Sequence, residues 1–236
     1  MHYMDYSSII NIVVAAGSGS RFGGDMPKQY CELDGVPVLI HALMRLRKAL
    51  PKSTCIVVVH PDYTEHVGRM TERYGMTDVL ITTGGATRWE SVKNAIDMAD
   101  REGLEADVIT VHDGARPLVT ERVVRAVVAA CADNSGAIPA IAVTDSLRRI
   151  DADDTRRSVA VDRSAYRAVQ TPQAFQADKL RKAYTLPYRS SFTDDASVMA
   201  ASGFDDIALV EGDARNIKIT LPNDIDIASI YLKSLQ

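Results

Sequence analysis

The chain has 236 residues, 46% apolar and 25% charged, with a formal net charge of −4. That length can bury the core of one large α/β domain or two small ones. The mild acidity excludes a general nucleic-acid or anionic-membrane surface, either of which needs a basic face.

Ile9 to Ala15 reads as a buried strand that runs into a loop rich in glycine and serine. Leu39, Leu43, Leu46 and Leu50 then recur at helical spacing, and Pro51 ends that helix. CIVVVH (55–60) is a second buried strand. Asp62, with Glu65 three positions on, reads as the N-cap of a helix whose inner face is Val67, Met70 and Tyr74. Val79 to Thr82 is a short strand closed by Gly84-Gly85, and Val92, Ile96 and Ala99 repeat helically after it. VITVH (108–112) is another buried strand, and Thr120 opens a helix through Val123, Val127 and Cys131. Continuously apolar strands separated by helices predict a Rossmann-like three-layer α/β/α fold around a mostly parallel sheet. Ligands of such sheets sit at the carboxyl ends of the strands.

The alternation fails between about 138 and 168. IPAIAVTDSLRRIDADDTRRSVAVDR is strand-like on both sides of a polar turn and predicts a β-hairpin arm leaving the main sheet. Such a hairpin is marginal alone and needs something to pack on, a partner subunit or its own domain. Helical patterns return near 176–186 and 193–202, followed by a strand at 207–210 and a helix after Pro222. With no linker or repeat, residues 1–236 read as a single domain carrying the arm. No apolar run approaches the ~20 residues of a membrane span. The opening MHYMDYSS has no signal-peptide pattern. Cys31, Cys55 and Cys131 are isolated and odd in number, which fits reduced thiols in a cytoplasmic protein.

The first loop, VVAAGSGSRFGGDMPKQY (13–30), carries the chemistry. A dinucleotide fingerprint would need glycine at position 22, which is Phe, and Pro27 would interrupt the helix that follows. A Walker loop would need lysine where Asp25 stands. What is left is a loop whose small residues let backbone N–H groups approach phosphate oxygens. In it Arg21 can chelate two oxygens, and Lys28, held beside Pro27, adds a compact charge. A surface Arg and Lys in a flexible loop is the plain alternative. Asp113 ends a buried strand, so its carboxylate emerges at the ligand edge of the sheet. Mg²⁺ takes one or two carboxylates plus phosphate oxygens and water, which makes Asp113 the metal candidate, with a helix-cap or turn role as the alternative. His112 reads as a structural strand-end residue, and Trp89 as a helix-face aromatic.

A-A-G-x-G-x-R-x-G (15–23) followed by P-K-Q (27–29) resembles the signature loop of nucleotidylyltransferases that attach CMP to a sugar or polyol phosphate. Within that group the pattern is most similar to the 2-C-methyl-D-erythritol 4-phosphate cytidylyltransferase family. GGATRWESV (84–92), HDGARP (112–117), VDR (161–163) with TPQAF (171–175), and EGDARNIKIT (211–220) match it in order along nearly the whole chain. The resemblance implies Mg²⁺-dependent transfer of CMP from CTP to the polyol phosphate, with release of pyrophosphate, by a homodimer joined through the arm. It implies that Arg21 and Lys28 stabilise transition-state charge, and that Arg163 and Lys218 are catalytic with them, Lys218 bridging the substrate phosphate and the nucleotide. Ala15, Ala16, Gly17, Ser18, Gly19, Gly85, Arg88, Ser91 and Gly114 would hold the nucleotide. Asp113 would hold the metal. Ser146 and Arg163 would reach the acceptor phosphate from the second subunit's arm, with Thr171, Arg116 and Lys218 completing that site. The chain departs from the family in having Ala86 where many relatives are acidic, and serine rather than threonine at 146. A ribitol-5-phosphate cytidylyltransferase shares several of these features, a non-catalytic nucleotide-binding module is the rival from another class, and a dehydrogenase is a third, disfavoured by Phe22 and Pro27.

Overall fold

A computed structural model describes residues 9–17, 22, 23 and 26–235. Its first half runs β1 (Ile9–Ala15), β2 (Glu32–Leu33), β3 (Val36–Pro37), α1 (Val38–Ala49), β4 (Thr54–Val59), α2 (Thr64–Arg73), β5 (Leu80–Thr83), α3 (Arg88–Arg101), β6 (Val108–Asp113) and α4 (Glu121–Ala130). The second half runs β7 (Gly136–Ala142), β8 (Arg148–Ile150), β9 (Ser158–Ala160), β10 (Arg167–Val169), β11 (Gln173–Gln176), α5 (Ala177–Ala183), α6 (Asp195–Ala201), β12 (Ile207–Glu211) and α7 (Asp224–Lys233).

β5, β4, β1 and β6 lie side by side and parallel. β11 continues the sheet antiparallel to β6 and β7, and β12 closes it parallel to β7. The central strands are apolar on both faces because both faces are covered. From β1, Ile9 and Val13 enter one core with α1, α2 and α4, while Ile10 and Ile12 enter the other with α3, α5 and α6. Each fully buried valine or isoleucine contributes about 1.5–3 kcal/mol relative to exposure, so a one-residue register slip in β1 would be opposed from both sides. α7 packs its Ala228 and Leu232 against Leu33, Val38, Leu118 and Ile219 in a third, smaller cluster. The result is a Rossmann-like α/β fold with a mixed, mostly parallel sheet.

The predicted arm resolves into two parts. Its flanks, β7 and β10, pair antiparallel within the main sheet, and only β8 and β9 form a separate two-stranded ribbon. Burial explains only the place of β7, whose Gly136 to Ala140 are all buried; β10 is as exposed as β8 and joins the sheet by pairing with Ala140 to Ala142 at its edge. Asp62 is not the N-cap expected of it. Pro61 opens a short 3-10 turn ahead of α2, and His60 caps that turn by accepting the Asp62 N–H. Proline suits the first helical position because its missing N–H is unneeded there.

Candidate active site

The carboxyl ends of β1, β4, β5 and β6 open on one cleft of about 520 Å³. Ala15, Ala16, Gly17, Lys28, Gly85, Arg88, Ser91, Asp113 and Lys218 all line it. Ser18, Gly19 and Arg21 lie outside the described residues. The start of the loop is held from behind. Gln29 Nε2 donates to the carbonyls of Ala15 (2.7 Å) and Gly17 (2.9 Å), and Tyr30 Oη donates to Ala15 O at 3.1 Å. Burial pushes the Tyr30 phenol up to about 12, so it remains a donor at any ordinary pH. These bonds fix the 3-10 turn Lys28–Tyr30 against the end of β1 and set Lys28 on the cleft wall.

The second wall is the turn between β5 and α3. Gly84 N–H bonds Val59 O at 2.8 Å, and a Cβ on Gly84 would lie 2.4 Å from Ala16 Cβ. A Cβ on Gly85 would lie 2.4 Å from Glu90 Cβ. Only glycine lets these backbones come so close. Ser91 Oγ accepts the Gly85 N–H at 3.2 Å and donates to Thr87 O at 2.9 Å, so its hydroxyl holds the turn. Thr87 and Glu90 form a reciprocal capping box that starts α3. Arg88 then bonds the buried Asp195 at the start of α6. Nη1 and Nη2 bond the two carboxylate oxygens at 2.9 and 2.7 Å, and Tyr184 Oη donates to the same carboxylate at 2.6 Å. On the same guanidinium, Arg88 Nε faces Asp113 Oδ1 at 3.8 Å.

Asp113 is the only carboxylate among the described cleft-lining residues. Lys218 Nζ and Arg116 Nε approach its Oδ2 at 3.0 and 3.2 Å. Burial by itself would raise this carboxyl, but Lys218, Arg88 and Arg116 outweigh it and hold Asp113 far below the usual carboxylate range. Next to it, His112 is fully buried, with Nε2 3.1 Å from Arg116 O and Nδ1 3.0 Å from Thr171 Oγ1. Desolvation lowers its pKa to about 4, so the ring is neutral. Arg116 O can only accept, which places the proton on Nε2 and leaves Nδ1 to accept from Thr171. The structural reading of His112 therefore holds.

Not every expected residue meets the cleft. Thr171 is buried. Its hydroxyl donates to His112 and accepts the Asp113 N–H at 3.0 Å, so it reaches the site only through those neighbours. Gly114 packs behind the cleft, where its N–H bonds Val14 O at 2.9 Å and a Cβ would lie 3.1 Å from Ala15 Cβ and Leu39 Cδ1. Arg116 braces Asp113 and also donates to Asn216 O at 2.7 Å. Ser146 and Arg163 are exposed on the arm, outside this chain's own cleft, and Arg163 donates to Thr144 O. Trp89 stacks on Tyr184 with ring centroids 5.6 Å apart, as a helix-face aromatic.

Sequence reasoning missed Gln29, Asn216, Gln170, Asp195 and His60. Asn216 Nδ2 donates to Thr171 O at 2.9 Å, and Gln170 Nε2 to Asp213 O at 2.8 Å, which docks the segment that delivers Lys218. Gln29 and Asn216 stood inside the P-K-Q and N-I-K-I-T motifs, where the neighbouring lysines drew the attention.

A family model described as IspD: 2-C-methyl-D-erythritol 4-phosphate cytidylyltransferase matches residues 9–234. The chain belongs to the IspD family. It is 38% identical over 222 residues to an IspD protein of Bacteroides thetaiotaomicron, a 2-C-methyl-D-erythritol 4-phosphate cytidylyltransferase, covering 94% of this chain and 98% of the relative. The solved 4-diphosphocytidyl-2C-methyl-D-erythritol synthase of Anaerococcus prevotii superposes with a TM-score of 0.82 at 26% identity, covering 98% of each chain. The IspD structure from Thermus thermophilus, also a 2-C-methyl-D-erythritol 4-phosphate cytidylyltransferase, gives 0.73 at 28% identity, over 94% of this chain and 98% of that one.

Proposed function

We propose that this IspD-family chain transfers CMP from CTP to 2-C-methyl-D-erythritol 4-phosphate, giving 4-diphosphocytidyl-2-C-methyl-D-erythritol and pyrophosphate. The observation that carries the reading is the cleft at the strand ends, which Lys28 and Lys218 line together with the Asp113 carboxylate braced by two arginines. An acceptor phosphate oxygen attacks the α-phosphorus of CTP, the new P–O bond forms, and the bond to pyrophosphate breaks. The nucleophile is already an anion, so no general base is needed, in keeping with a neutral, fully bonded His112. Catalysis then rests on alignment and on cations placed where charge develops.

Lys28, with Arg21 from the same loop, stabilises the α-phosphate charge, and the backbone of Ala15 to Gly19 cradles the triphosphate. The turn at Gly85 and Ser91 receives the cytosine, and Lys218 bridges the acceptor phosphate and the nucleotide. Arg116 supports Asp113 from outside the cleft lining, and Arg88, which lines the cleft, braces Asp113 while its bonds to Asp195 order the turn at the base site. Asp113 fits Mg²⁺ as a single carboxylate: three cations around it would repel a bare ion, so the metal would arrive with the triphosphate that balances them. The metal supplies neutralisation of phosphate charge when bound.

Two further features belong to the proposal. The enzyme acts as a homodimer whose arm brings Ser146 and Arg163 to the neighbour's cleft, and it works in the cytoplasm, in line with three unpaired thiols and with no described helix long and apolar enough to cross a membrane. Pyrophosphate release from CTP and Mg²⁺, measured with 2-C-methyl-D-erythritol 4-phosphate and with ribitol 5-phosphate in parallel, tests the substrate. Faster turnover of the first is expected. A preference for ribitol phosphate overturns the acceptor, and no turnover with either, despite tight CTP binding, makes the chain a binding module.

A further inference from the structure

The cleft is also lined by a histidine that the chemistry above does not use. His60 follows β4, lines the cleft beside Gly85 and Ala86, and has a side chain 45% exposed. The preceding residue, Val59, accepts the Gly84 N–H at 2.8 Å, which fixes His60 against the glycine turn. On its other side the ring meets Tyr63 edge-on, and Tyr63 packs on Tyr30 with ring centroids 5.1 Å apart. Tyr30 is the residue that holds Ala15 behind Lys28. His60 therefore stands between the loop assigned to the triphosphate and the turn assigned to the base, which is where the ribose end of a nucleotide spanning both would lie. Ala86 offers only a methyl group on this stretch of wall.

The ring's own bonds settle what it can offer. Nδ1 is turned to Asp62, whose backbone N–H donates to it at 3.3 Å and whose carboxylate lies 3.5 Å away. Nε2 has no hydrogen-bond partner among the described residues. With Nδ1 accepting, the neutral ring carries its proton on Nε2, and the cation carries one on each nitrogen, so Nε2–H is a donor in either state. We infer that His60 Nε2–H donates a hydrogen bond to an oxygen of the nucleoside part of CTP, on the ribose or the cytosine, and so sets affinity for the nucleotide without entering the chemical step. The inference rests on the CTP reading above.

The competing role, capping the turn at Pro61, predicts a different pattern of variants. His60→Asn keeps an acceptor for the Asp62 N–H and loses the distant donor, whereas His60→Gln carries an amide donor near the place of Nε2 and loses the cap. Steady-state kinetics, CTP titration calorimetry and thermal melts are run on all three proteins. Loss of one such bond is expected to raise KM and Kd for CTP about tenfold in His60→Asn, with kcat changed by less than about twofold and Tm unchanged. His60→Gln is expected to bind CTP nearly as the native protein does. Deoxy-CTP locates the acceptor: a defect seen with CTP alone assigns the 2′-hydroxyl, and an equal defect with both assigns an oxygen the two share. Native CTP affinity in His60→Asn, or a His60→Gln protein that is as weak as His60→Asn and melts lower, overturns the inference while leaving the transferase reading intact. A native protein that neither binds CTP nor releases pyrophosphate overturns both.

Discussion

Asp113 owes its position to a residue 58 places away in the chain. Thr171 accepts the Asp113 N–H with the hydroxyl that also donates to His112. One small side chain thus orients the strand end and the ring behind it. Thr171→Val keeps the shape and removes both bonds, leaving a buried N–H and a buried imidazole nitrogen without partners. It is expected to lose about 1–3 kcal/mol of stability, the desolvation cost of an orphaned buried group, read as a lower urea midpoint with an unchanged slope. A native midpoint would show that water replaces the hydroxyl. Asp113 and Lys218 were legible in the sequence because a carboxylate after a buried strand and a lysine in a matched motif carry local signals. The partnership with Thr171 was not, because it is made by β11 running antiparallel beside β6, and a register between distant strands has no local signature.

At the scale of elements, α3 and α6 are tied by an ion pair that also faces the site. Arg88 opens α3, and Asp195 opens α6 with none of its surface exposed. The pair is bidentate, and Tyr184 adds a third bond to the carboxylate. Asp195→Asn leaves a partly buried guanidinium without its counter-charge, and breaking such a pair costs about 3–5 kcal/mol. If Asp195 acts through Arg88, the loss is not additive: Arg88→Ala with Asp195→Asn should be hardly less stable than the worse single variant, and kcat/KM should fall no further. Additive losses in denaturant midpoint and kcat/KM would show that each residue works alone. The glycine pair that lets this wall close was plain in the sequence. The ion pair behind it was not, since its partners are 107 residues apart and Asp195 looks from its neighbours like an ordinary helix-start acid. The hairpin shows the same limit. Its strand character was readable, but how much of it the main sheet would claim depended on the edges that β11 and β12 present to β7.

For the whole molecule the question is whether one chain makes a complete site. Ser146 and Arg163 lie off its own cleft, while Ile150, Val159 and Tyr166 on the arm are 61%, 51% and 47% exposed. The uncovered apolar side chains of the arm and the place of Ser146 and Arg163 away from their own chain's cleft are both accounted for if two chains exchange arms around a two-fold axis. Sequence periodicity could place the arm but not the surface that covers it, because a partner leaves no period in the chain it binds. Mixing variants decides the matter. Lys28→Ala removes a cation from the cleft of its own chain, and Arg163→Ala removes one from the arm. Each pure protein is expected to lose two to three decades of rate, as for the removal of a single preorganised donor. Half of the dimers in an equal, freely exchanging mixture are mixed. Each of these carries one cleft with both defects and one with neither, so activity should return to roughly a quarter of native under two-fold symmetry. Differently tagged subunits, purified in tandem, establish that mixed dimers are present. Mixed dimers as inactive as their parents would mean that Lys28 and Arg163 serve the same chain's cleft, and the shared site would have to be abandoned.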